Sequence, residues 1–214
     1  MNYPEKLHPS SGIAIGPILF VLAILALLAA VMASGGGDFQ VAGAADNTTN
    51  NIVAQASLIR STINQCNMQY LISVSSGTIN PVASGDYYPT PTGAVSALLC
   101  SPIGSTNTIW NDLTLGNKLL PPPSSGFNAW QYVDAWSATP ASDGGRCIYT
   151  TPSGASPKNN EATVVGLTRA AAKFNSSTTY SSSTEVIYDP ASTSQKFIVW
   201  ITLPQGTPNS NCLP

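Results

Sequence analysis

Charge is what this sequence has least of. Asp, Glu, Lys and Arg make up 8% of its 214 residues, against about a quarter in an ordinary soluble chain. Lys and Arg together number 8, Asp and Glu 10, for a formal net charge of −2. Binding to phosphate backbones needs clustered Lys and Arg, so nucleic acid is not an expected partner. Histidine is scarcer still: the single one is His8. Beyond it, no Ser-His-Asp or Cys-His catalytic set and no His-ligated metal site can be built. Cys-x-x-Cys spacing is absent, which argues against a zinc ribbon or a thioredoxin-type motif. Gly35-Gly36-Gly37 lacks the Lys and the preceding strand of a phosphate-binding loop. Lys118, Lys158, Lys173 and Lys196 occur among many serines, but nothing in the sequence sets one beside a nucleophilic Ser. Asp134 and Asp143 flank an expected hairpin and read as turn or surface groups; Asp189-Pro190 is a turn signal. We therefore expect no enzyme, no cofactor and no metal.

What the chain does have is one unbroken apolar run, Ile13–Ala33, directly after Gly12. Its 21 residues would make roughly 31 Å of helix, the thickness of a bilayer core. Three readings are open. Ala29, Ala30 and Ala33 imitate the end of a cleaved signal peptide, although such cores are usually about 7–15 residues long. A plain membrane anchor is the second. The third is a short polar leader ending in Gly12, removed by a dedicated peptidase that leaves Ile13 first. Lys6 precedes the run and the next Lys or Arg is Arg60, which puts the amino terminus in the cytoplasm and the body outside.

An exported body agrees with the four cysteines. Cys66, Cys100, Cys147 and Cys212 are an even set and suggest two disulfides, with four buried free thiols as the alternative. Three pairings are possible. Cys66–Cys100 with Cys147–Cys212 is favoured, because the second bond would tie an otherwise loose tail to a strand.

After the run, Gly35–Gly37 should break or soften a helix. Helical spacing then returns in Ile52, Ala56, Ile59, Ile63, Cys66 and Tyr70, with Asn51, Gln55, Ser61 and Gln65 mostly off that stripe. Asn47, Thr48 and Thr49 are N-cap candidates. From Gly77 to Pro123 the composition predicts an irregular excursion with one short helix at Gly93–Leu99 and a stiff Pro121-Pro122-Pro123 connector. Strands are expected at Ala129–Trp136, Arg146–Thr151, Glu185–Tyr188 and Lys196–Leu203. A helix is expected at Asn160–Phe174, with Glu161 near its start. Trp130, Tyr132 and Trp136 fall on one face of the first strand, and suit either the core under the helix or a carbohydrate- or surface-binding patch. Asn47-Thr48-Thr49 and Asn175-Ser176-Ser177 match the glycosylation acceptor pattern, which chance supplies often in a chain this rich in Asn, Ser and Thr.

Ser11-Gly12, the apolar run from Ile13 and the amphipathic continuation Asn51–Leu71 together resemble the type IV pilin and pseudopilin superfamily, with its class III, prepilin-type signal. The resemblance implies an α+β fold: a long N-terminal helix, membrane half plus amphipathic half, packed on a C-terminal antiparallel sheet of about four strands. It implies a leader at 1–12 cut between Gly12 and Ile13, and a transmembrane and assembly helix at 13–33. A glycine joint and amphipathic helix would occupy 34–71, and an exported β-rich domain 72–214. Two positions depart from the family. Its glutamate at the fifth mature position is Pro17 here, and the first mature residue would be Ile13 rather than Phe or Met.

The expected function is a structural subunit of a type IV pilus-like filament or a type II secretion-like pseudopilus. The membrane would hold it through its N-terminal helix before assembly. Gly16, Pro17, Ala23 and Ala26 would lie at close helix contacts. The implied partners are copies of itself or other pilin-like subunits, the membrane and a prepilin peptidase. The implied location is the inner membrane with the C-terminal domain outside the cytoplasm, then a cell-surface filament. The competing readings are a single-pass anchored binding module and a secreted enzyme released near Ala33.

Overall fold

The computed structural model describes residues 15–75, 88–89, 91–100, 108–111, 118–154 and 161–214; within the first helix, side chains are described at 19–27, 29–30 and 40–68. That helix, α1, runs Ile15–Ser75. Then follow β1 (Gly93–Ala94), a 3-10 turn (Val95–Ala97), β2 (Gln131–Asp134), β3 (Arg146–Thr150), α2 (Glu161–Ala171), β4 (Ser176–Ser177), β5 (Val186–Tyr188) and β6 (Phe197–Thr202). A last 3-10 turn covers Ser210–Cys212. The chain divides into two compact units at Ala42/Gly43.

In the unit from Gly43 onward, six strands form one sheet in the order β1-β2-β3-β6-β5-β4. Every pairing is antiparallel except β4 with β5, which is parallel. Successive side chains of a strand point to opposite faces, and two cores divide accordingly. Tyr132, Ile148, Val186, Phe197 and Val199 join the stripe of α1 and Leu167 and Ala170 of α2 in one core. Val133, Cys147, Ile187, Ile198 and Trp200 form the other, closed by Cys212, Tyr180 and Leu213. This explains why β6 reads as an uninterrupted Phe-Ile-Val-Trp-Ile run: a strand covered on both faces has no polar side to present.

The α1 stripe is fully buried at Ile52, Ala56, Ile59, Ile63 and Cys66. Gln55 is buried beside it, donating through Nε2 to the Pro122 carbonyl (2.8 Å) and accepting from Trp130 Nε1 (2.8 Å). One amide thus fixes the triproline connector and the start of β2 onto the helix. Gly166 lets α2 cross close to α1, since a Cβ there would stand 2.7 Å from Thr48 Cβ. Thr49 Oγ1 seals the crossing, donating to the Ala45 (2.8 Å) and Gly166 (3.0 Å) carbonyls. The cysteines form two disulfides, Cys66–Cys100 and Cys147–Cys212.

The expected pilin-like fold is corrected at two points. Among the described residues no helix is long and apolar enough to cross a membrane. The long apolar N-terminal helix of the expected fold is therefore not found among the described residues, and α1 from Gly43 on belongs to the second compact unit. The sheet is also mixed and six-stranded, where an antiparallel one of about four was expected. The two additional strands, β1 and β4, have two residues each and are built of Gly, Ala and Ser, with no alternation to betray them. Two smaller corrections follow, while α1 stays helical through Gly35–Gly37. Asn47, Thr48 and Thr49 lie inside it and cannot be its N-cap. The short helix expected at Gly93–Leu99 is a two-residue strand followed by a 3-10 turn.

Candidate functional site

The expected cleavage pair Gly12–Ile13 lies outside the described residues, as does the leader with Lys6 and His8. Gly16 and Pro17 fall in the first turn of α1, and Pro17 fits there because an N–H in the first turn has no intrahelical acceptor to lose. Ala23 and Ala26 are exposed. So is every side chain from Leu19 to Leu27, among them seven large apolar groups, with Leu19 at 60%, Phe20 at 66% and Leu27 at 67%. Consecutive helical residues point all round the axis, so this segment has no polar side. Burying one such side chain is worth about 1.5–3 kcal/mol. Seven together rival the whole stability of an ordinary domain, about 5–15 kcal/mol. A demand for cover is therefore built into this stretch.

In the other unit, two hollows flank α2. One, of about 470 Å³, is walled by Asn47, Thr48 and Asn51 of α1, by Ser124 and Ser125, and by Thr163 of α2. Among the described residues no charged side chain lines it, and the buried Ser124 hydroxyl has no hydrogen-bond partner among them. The second, of about 400 Å³, is lined by Asp46, Thr49, Asn50, Arg169, Ala172 and Lys173.

The described charges are mostly used internally. Arg146, 1% exposed, meets Asp134 at 2.9 Å across the β2–β3 pair. Its guanidinium lies 4.4 Å from the Tyr88 ring centre and 5.2 Å from that of Trp136. Arg60 pairs with Glu185 (3.3 Å) and Arg169 with Asp46 (2.5 Å). Asp143 is buried in the hairpin loop, accepting from the backbone N–H of Gly145 (3.0 Å) and Gln205 (3.2 Å). Lys196 donates to the carbonyls of Leu213 (2.8 Å) and Asn211 (3.3 Å), holding the tail against the sheet; burial lowers its pKa. Lys118 bonds to Gln65.

Of the Ser–Lys candidates, Lys158 lies outside the described residues, and none of the described lysines bonds to a serine. No group of three His, Cys, Asp or Glu able to hold a metal occurs among the described residues. Trp130 and Tyr132 are core side chains at 5% and 0% exposure, while Trp136 lies past the end of β2 against Arg146. Sequence reasoning missed the Arg146 cluster, because nothing local links Tyr88 to residues some fifty positions on. Gln55 does stand beside the apolar stripe, but its role as the polar bridge to Pro122 and Trp130 was missed. No family model, curated protein or solved structure matches this chain.

Proposed function

We propose that this chain is a structural subunit of a type IV pilus-like filament or a type II secretion-like pseudopilus, and not an enzyme. The observation that carries the reading is the all-round exposed apolar stretch Leu19–Leu27, borne by a chain whose remainder is a disulfide-bonded domain with its own cores. Such a stretch needs lipid before assembly and neighbouring copies afterwards; the small residues Ala23 and Ala26 allow close approach. In this reading a prepilin-type peptidase cuts between Gly12 and Ile13. The chain waits in the inner membrane with its domain outside the cytoplasm, then joins copies of itself or other pilin-like subunits. The mass of the mature protein tests it. A chain beginning at Ile13 is expected, together with filaments or a partner subunit in surface fractions. An intact Met1 and a monodisperse membrane protein would overturn it.

A second reading is supported by the groove whose described lining is hydroxyl and amide side chains. It makes the protein an anchored binding module for a neutral, hydroxyl-rich ligand. The same mass measurement separates the two, since a module needs no cleavage at Gly12.

A further inference from the structure

Charged side chains are few, and each one that is described can be accounted for. Among the described residues, Asp46, Arg60, Asp134, Arg146, Arg169 and Glu185 are in ion pairs. Lys118 and Lys196 donate to uncharged oxygens, and Asp143 and Asp189 cap turns. Two are left over. Glu161 and Lys173 are both exposed, and neither has a partner among the described residues. They are opposite in sign and belong to one helix: Glu161 opens α2, and Lys173 follows its last residue, Ala171. Lys173 stands at the edge of the 400 Å³ hollow, where Arg169 is already held by Asp46. At 1.5 Å per residue the ends of α2 are roughly 15 Å apart, beyond both contact and the screening length in physiological salt.

We infer that α2 carries a head-to-tail contact between copies, in which Glu161 of one chain enters the hollow beside Lys173 of the next. The inference rests on the filament reading and names the partner surface within it. A contact between two different patches of one chain does not close on itself as a two-fold dimer does; it propagates along a filament unless its rotation closes a ring. It also supplies a charged register between subunits. The arrangement has a competing local use, because an acid at the start of a helix and a base at its end both suit the helix dipole. The test must separate the two.

Carbodiimide treatment of assembled wild-type filaments should join Glu161 to Lys173 between chains, a zero-length bond that one chain cannot make with itself. Glu161→Lys and Lys173→Glu should each lower filament yield by about tenfold through like-charge contact. The double swap should restore it to within a few-fold. A dipole role predicts the reverse, since the swap places both charges at the wrong ends and should melt lowest of all. Single variants that assemble like wild type, a swap no better than either single variant, or filaments without the crosslink would overturn the contact while leaving the filament reading standing. A wild-type chain that forms no filament and joins no partner subunit would overturn both.

Discussion

Tyr188 buries its hydroxyl along with its ring, and that hydroxyl has no hydrogen-bond partner among the described residues. Burial first, and the neighbouring Asp189 carboxylate second, push its pKa from 10.0 up to about 12. In the unfolded chain the phenol ionises at its ordinary value. The protonated form therefore favours the folded state fully below pH 10, and that contribution is lost as pH rises towards 12. Lys196 acts in the other direction. Its lowered pKa lets the folded chain release a proton before the unfolded one does, so its contribution to stability rises with pH. Comparing wild type with Tyr188→Phe cancels the Lys196 effect, since both share it. We expect Tyr188→Phe to match or exceed wild-type stability at pH 7, because it removes an unsatisfied buried hydroxyl. It should also flatten the alkaline limb by on the order of 2 kcal/mol between pH 10 and 12. Denaturant midpoints measured across that range decide it; parallel curves for the two proteins would contradict the assignment.

At the scale of elements, the tail after β6 covers the second face of the sheet. It is fixed by Cys147–Cys212, by the bonds Lys196 makes to Asn211 and Leu213, and by Asp143 holding the Gln205 N–H. Gly145, at φ +73°, makes the close approach possible, since a Cβ there would lie 2.7 Å from Pro204 N. The disulfide spans 65 positions, for which chain entropy suggests about 4 kcal/mol. Replacing Cys147 and Cys212 by Ser should lower stability by an amount of that order and raise hydrogen exchange first in β3 and β6. Exchange that rises evenly across the sheet would count against a strap. Much of this architecture was legible in the sequence. β2, β3, β5 and β6 carry β-branched and aromatic runs between turn signals, and the stripe from Ile52 to Cys66 has helical spacing. Of the second layer, the Cys147–Cys212 tie between tail and strand was legible, but not that the tail covers a whole face. The β6 run says only that a strand is buried, and what lies over its far face is set by a disulfide and by a lysine bonding to backbone carbonyls. β1 and β4 were invisible for a related reason: they pair through backbone alone, with side chains that carry no pattern.

Among the described residues, the molecule joins a domain with two buried cores to an apolar stretch exposed on every side. Of the expected assembly residues, Ala23 and Ala26 are the two whose side chains are described, and both are exposed, so the segment is best tested there. Lipid and neighbouring copies make different demands at these two positions. Lipid tails accept a larger apolar side chain without penalty, whereas a packed contact between helices depends on small residues. Overpacking an established contact costs about 1–3 kcal/mol at each site, and 1.4 kcal/mol is a factor of ten in association. A growing filament repeats the contact at every subunit, so even the lower value should suppress assembly. Ala23→Phe and Ala26→Phe should therefore leave the protein in the membrane fraction, with both disulfides intact on non-reducing peptide maps, while filaments visible by electron microscopy fall about tenfold or more. Leu19→Phe, at a position already bulky, should have a much smaller effect. If the alanine variants assemble as the parent does, Ala23 and Ala26 are not at the contact, and the apolar segment serves lipid alone.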